Sequence, residues 1–141
     1  MIIYDIPQAE DTVKGKALDI LQLRPHDGYD TNLIGNSDPA SLRDADVVII
    51  TAGIPRLPGM SRDDLLETNT KIISTIGKAI KQYCPKAFVI CITNPLDVIV
   101  MALQKYSGLP TTKVVGMAGI LDSSRFKYFL SQEMKVPVKK I

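Results

Sequence analysis

The sequence predicts an α/β fold built on a parallel sheet, and three observations point to it. Apolar runs are short and rich in β-branched residues, and they alternate with helical patterns of about ten residues or more, the rhythm of strand–helix–strand units. These runs are apolar almost throughout instead of alternating with polar residues, as expected of strands buried on both faces. Only 6% of residues are aromatic and Trp is absent, so the core must be built from Ile, Leu and Val.

Met1 to Tyr4 is the first predicted strand, ending at Asp5. A helix follows near Lys14 to Leu23, ended by Arg24-Pro25, because proline cannot continue a helix and biases the preceding residue to extended geometry. Thr31 to Ile34 is the second strand, closed by Gly35, and Val47 to Thr51 the third, apolar until its last residue. The best helix is Arg62 to Tyr83, where Ile72, Ile73, Ile76, Ile80 and Tyr83 recur at i, i+3, i+4 spacing and turn one stripe to a core. Ser61 with Asp64 forms a capping box at its start, and Lys78 and Lys81 sit near the end that favours cations. Ala87 to Ile92 is the fourth strand, Pro95 to Tyr106 a helix, Lys113 to Gly116 a short fifth strand and Ile120 to Met134 a last helix.

Composition narrows the function classes. A chain of 141 residues is one domain's worth, and 17 Lys+Arg against 15 Asp+Glu leave a net charge of only +2 with the basic residues dispersed, so nucleic-acid binding is not expected. No apolar run reaches the roughly 18 residues of a membrane span, and the N-terminus lacks a signal-peptide pattern, so no membrane association and a cytoplasmic location are expected. Cys84 and Cys91 read as free thiols, and no spacing suggests a metal site.

One irregular stretch, Gly53 to Arg62, joins a buried strand to the long helix with two glycines and two arginines. In a parallel α/β sheet such a loop leaves the carboxyl end of a strand, the edge where ligands bind. Arg56 and Arg62 are either solvated charges or a closing lid that grips an anion, since guanidinium offers carboxylates a bidentate fork. Arg62 is poorly placed for a structural role, because cations are disfavoured at a helix N-terminus. Asp122 and Arg125, one turn apart, read first as a surface i, i+3 pair. Asn94 reads as a plain N-cap before Pro95. Asp5 is a turn former or an acceptor for two ribose hydroxyls. His26, in the polar loop Pro25-His26-Asp27-Gly28, reads as an exposed bystander.

Four segments taken together change that weighing: Tyr4-Asp5-Ile6, the run TAGIPRLPGMSRDDLL from Thr51 to Leu66, Ile92-Thr93-Asn94-Pro95-Leu96-Asp97, and Gly119 to Phe126. In order and spacing they resemble the malate dehydrogenases, in the lactate-dehydrogenase-like branch of the lactate/malate dehydrogenase family, over essentially the whole chain. The resemblance implies a doubly wound, Rossmann-type parallel sheet, with residues 1–117 a partial dinucleotide-binding domain and 118–141 the start of the substrate domain. It implies an oxidoreductase of the tricarboxylic acid cycle that moves a hydride between NAD and C2 of malate or oxaloacetate. Arg125 would then hold the C1 carboxylate, and Asp122 would pair with a catalytic imidazole and favour its protonated form. Arg62 would polarise the C2 carbonyl and stabilise charge as it develops there.

Arg56 matches the position where malate dehydrogenases carry Arg for the distal carboxylate and typical lactate dehydrogenases an uncharged residue. Asn94 would contact substrate and cofactor, while Asn69, Ile92 and Thr93 match cofactor-contacting positions. Asp5 followed by Ile6 favours NAD over NADP, since a carboxylate there repels a 2′-phosphate. The family is usually homodimeric or homotetrameric, with the Arg62–Tyr83 helix a contact candidate.

Two parts of the family pattern are not in the sequence: the glycine-rich phosphate loop, expected before Met1, and the catalytic His, expected after Ile141. His26, in a distal loop, does not replace it. The expectation is therefore an internal fragment, inactive alone and unable to fold stably as a monomer. In the 3-2-1-4-5-6 strand order the central strand is the missing one, leaving Met1–Tyr4 and Val47–Thr51 without their common neighbour. Two other readings are a lactate dehydrogenase of malate-type ancestry and a non-catalytic chain that pairs with full-length protomers.

Overall fold

The computed structural model describes all residues, 1–141. Five strands form two parallel sheets: β1 (Ile2–Tyr4) pairs with β2 (Ile34–Asn36), and β3 (Val47–Ile50), β4 (Phe88–Cys91) and β5 (Val114–Gly116) form the second in that order. Register runs Ile2 opposite Ile34, Val47 opposite Phe88 and Val89 opposite Val114. Each sheet keeps a neighbour order found in doubly wound folds, β2-β1 in one and β3-β4-β5 in the other. The 3-10 turn Pro39–Leu42 packs on both β1 and the long helix, and so joins the two halves.

The helices are α1 (Glu10–Gln22), α2 (Arg24–Asp27), α3 (Arg62–Tyr83), α4 (Leu96–Ser107) and α5 (Gly119–Met134). The largest core lies where α3 and α4 pack together and cover β3, β4 and β5. Ile73, Ile80, Val89, Ile99 and Leu103 are there wholly removed from solvent. This is the aliphatic core expected from the composition, and Ile73 and Ile80 belong to the predicted stripe. The opposite face of β3 is uncovered, with Val47 and Ile49 more than half exposed. Cys84 and Cys91 are free and buried, and burial pushes both thiols up, Cys91 against the opposing pull of its Thr93 hydrogen bonds. No helix is long and apolar enough to cross a membrane.

Three sequence expectations are corrected. The helix does end just before Arg24-Pro25, at Gln22, but the chain does not turn extended there: Pro25 sits in the first turn of a second short helix, α2, where its missing N–H costs nothing, and Gly28 at φ 69° ends that turn. The helix before it begins earlier than Lys14, at Glu10. Gly35 does not close the second strand but lies inside it, opposite Ile3, and the strand itself is displaced to Ile34–Asn36.

The reason for Gly35 is packing. A Cβ at Gly35 would fall 2.4 Å from the backbone carbon and oxygen of Val13 on α1, so only glycine lets this helix approach β2. Gly35→Ala is expected to cost about 1–3 kcal/mol as α1 is forced off the sheet, read as a lower denaturation midpoint of the full-length protein. An unchanged midpoint would contradict this close approach.

Candidate active site

In a parallel sheet every loop leaving the end of a strand opens on the same edge, so the ends of β3, β4 and β5 place the 53–61 loop, Ile92 to Asn94 and the start of α5 on one carboxyl edge, while Asp5 stands at the carboxyl end of β1 in the other sheet. His26 lies in the short helix α2, which follows α1 away from the carboxyl end of β1; it is exposed and bonded to Asp27 at 2.8 Å. The sequence placed it in a loop; the structure places it in this helical turn instead, still exposed.

Asp5 accepts the Ile6 N–H at 2.8 Å through one carboxylate oxygen and enters no ion pair, so the other oxygen is free for hydroxyl donors. The loop from Gly53 then carries Arg56, whose Nε donates to the Met60 carbonyl at 3.0 Å. That bond curls the loop on itself and leaves the two terminal guanidinium nitrogens unbound, beside a concavity of about 510 Å³ lined by residues 56–61. The loop ends at a capping box: the Ser61 hydroxyl accepts the Asp64 N–H at 3.0 Å, and the Asp64 carboxylate accepts the Ser61 N–H at 3.0 Å. The Ser61 hydroxyl and N–H together hold the Asp64 carboxyl below its usual range. Arg62 is the first residue of α3, exposed and in no ion pair.

Asn94 does not cap the helix that follows. The N-cap of α4 is Pro95, with no side-chain cap bond, and the Asn94-Pro95 peptide is cis. The structural reading of Asn94 thereby loses its basis, and its side chain is left for another role. Thr93 is buried, and its hydroxyl donates to the Ala52 carbonyl at 2.6 Å. Asn69 is also buried, with its carboxamide bonded to Ile54 and to the Asn94 carbonyl. The structure thus brings Asn69, Thr93 and Asn94 into one cluster beneath the arginine loop.

Asp122 and Arg125 form the i, i+3 ion pair at 3.6 Å, both largely exposed on the first two turns of α5, with no bond to that cluster. A second concavity, about 690 Å³, lies where β5 meets α5 and contains Ser123 and Ser124 but none of the arginines. Sequence reading missed the backbone of Ala52 and Ile54 as the points where the loop is held. A signal was available: Asn69 lies on the apolar stripe of Ile73, Ile76 and Ile80, and a polar residue on a core stripe has a bonding reason.

Two parallel sheets with Rossmann-type neighbour order, a free carboxylate at the end of β1 and a glycine-hinged loop at the end of β3 define a dinucleotide-binding domain of the dehydrogenase type. The residues fit NAD: Asp5 makes no ion pair and keeps a carboxylate oxygen that can accept ribose hydroxyls. The family model for the NAD-binding domain of lactate/malate dehydrogenases matches residues 1–116, and the chain belongs to that family.

Solved structures agree. The apo malate dehydrogenase of Picrophilus torridus superposes with a TM-score of 0.92 at 42% identity, covering 98% of this chain and 44% of that one. The lactate dehydrogenase of Cryptosporidium parvum, complexed with lactic acid and NAD, gives 0.88 at 49% identity over 98% and 43%. The malate dehydrogenase of Plasmodium falciparum gives 0.85 at 41% identity over 97% and 43%. The chain spans less than half the length of each.

Proposed function

We propose that this chain serves an NAD-dependent malate dehydrogenase, interconverting malate and oxaloacetate. The observation that carries the reading is Arg56, a loop arginine at the ligand-binding edge with its terminal nitrogens unspent. A second carboxylate on the substrate would be costly to desolvate without such a partner, and pyruvate would leave the guanidinium itself unpaired. Bound NAD supplies or takes up the hydride at C2.

The chain's residues do the rest. Arg56 holds the distal carboxylate and Arg125 the C1 carboxylate, fixing C2 between them. Arg62 donates to the C2 oxygen and stabilises the negative charge that grows there as the carbonyl is reduced, which lowers the barrier more than it strengthens binding. Asn94 orients the same carbonyl, and Asp5 holds the ribose that sets the cofactor's height. Asp122 exchanges its Arg125 contact for the protonated imidazole of the catalytic His that the family resemblance implies, a residue other than His26, and that imidazole gives its proton to the C2 oxygen. Residues 118–141 begin the substrate domain, and the working form is a homodimer or homotetramer.

A second reading, lactate dehydrogenase, is favoured by one observation, the 49% identity to the Cryptosporidium parvum enzyme. The test is the full-length protein with NADH and either oxaloacetate or pyruvate. Malate dehydrogenase activity is expected to give a kcat/KM at least about 10²-fold higher for oxaloacetate. A preference for pyruvate would establish the second reading instead.

A further inference from the structure

Asn69 occupies a core position, 1% exposed, where Leu or Ile would fill the same stripe at no polar cost. Its carboxamide is spent entirely on backbone groups outside α3. Oδ1 accepts the Ile54 N–H at 2.8 Å, and Nδ2 donates to the Asn94 carbonyl at 2.8 Å and to the Ile54 carbonyl at 3.2 Å. One residue therefore ties the start of the arginine loop to the end of β4. On the other side of Gly53, the Thr93 hydroxyl holds the Ala52 carbonyl at 2.6 Å. Gly53 between them has φ 148°, and a Cβ there would meet the Thr93 methyl at 2.6 Å and Asn69 Oδ1 at 3.1 Å.

Beyond Ile54 the loop's hydrogen bonds are its own, Arg56 to Met60 and Met60 to Leu57, until the capping box at Ser61. Both ends of the free segment are thus referred to α3. Arg62 and Asn69 are seven residues apart, two helical turns, and so share one face of that helix. Arg56 is two residues past the clamp, within about 7 Å of chain, with Pro55 between them, so the position of Ile54 limits where its guanidinium can stand.

We propose that Asn69 is a positioning residue that fixes the pivot of the arginine loop relative to Asn94, and thereby sets the discrimination between a dicarboxylate and a monocarboxylate substrate. The proposal rests on the malate dehydrogenase reading for its substrate, though not for the clamp itself. Substrate selection then depends on a side chain that does not touch the distal carboxylate, because a guanidinium displaced by about 1 Å loses much of its effect on the barrier.

Two variants of the full-length protein test it. Asn69→Leu removes all three bonds at similar volume. Asn69→Asp keeps the acceptor for Ile54 but, once ionised, offers no donor to the two carbonyls; protonated, it regains one. Both are expected to lower kcat/KM for oxaloacetate about 10²-fold and that for pyruvate no more than about tenfold, the shared loss arising from Asn94 and the cofactor, so the ratio of the two falls at least about tenfold. A carboxyl so buried titrates above the ordinary range, and the Asn69→Asp deficit relative to wild type should grow as pH rises.

Hydrogen exchange at the Ile54 amide should quicken at least about tenfold in Asn69→Leu. Equal losses for both substrates, or unchanged activity, overturn the positioning role, and unchanged Ile54 exchange overturns the clamp. Should Asn69→Leu fail to fold, the isosteric Asp variant decides through its substrate ratio and pH profile. If wild type itself does not reduce oxaloacetate, the dehydrogenase reading fails on its own account and the substrate-selecting role falls with it, while Ile54 exchange still judges the clamp.

Discussion

Arg56→Gln in the full-length protein is expected to lower kcat/KM for oxaloacetate by about 10²–10⁴-fold while leaving pyruvate within about threefold. Glutamine keeps a hydrogen-bonding side chain of similar reach but loses the charge and the bidentate fork, so the distal carboxylate would be desolvated with only a partial partner. The effect should fall chiefly on oxaloacetate because pyruvate has no group there. Stability should change little, since the guanidinium makes a single bond, within an exposed loop. Steady-state kinetics with the two keto acids read the outcome; equal losses for both would move substrate discrimination away from this loop.

Arg62→Leu is the second large effect, and it separates catalysis from stability. Loss of the donor to the C2 oxygen is expected to lower kcat about 10²–10³-fold, with a smaller change in KM. The same substitution removes a cation from the first turn of α3, where the helix dipole disfavours it, and Arg62 has no ion pair to lose. The thermal midpoint should therefore stay level or rise. A variant that loses activity together with stability would show that Arg62 holds the fold and does not serve the chemistry.

The elements most legible in the sequence were those with a long period and a strong end signal. The Arg62–Tyr83 helix came out at both boundaries, because its isoleucine stripe spans many turns and its Ser61–Asp64 box marks the start. The second strand was misplaced because Gly35 resembles a turn residue when only its neighbours in sequence are seen; its reason is Val13, far along the chain. Pro25 misled similarly, since a proline that stops one helix is equally suited to open another. At the site, Arg56, Arg62, Asp122 and Arg125 were legible as charges at the starts of helices or in a glycine loop. The bond network around Asn69 was not, because its partners are backbone groups brought in from two other segments.

What the sequence by itself determined is the class of fold and the identity of the charged groups: helical and strand periods, the capping box and the arginine-bearing loop are all local, set within a few residues of one another. What only the tertiary structure decided is which atoms those groups leave free. Asn94 proved not to be the cap of its helix, and Asn69 and Thr93 proved to hold the loop on either side of Gly53. Such contacts depend on parallel strands delivering distant segments to one edge, where a buried amide or hydroxyl must be paired and takes its partner from whatever backbone the fold brings within reach.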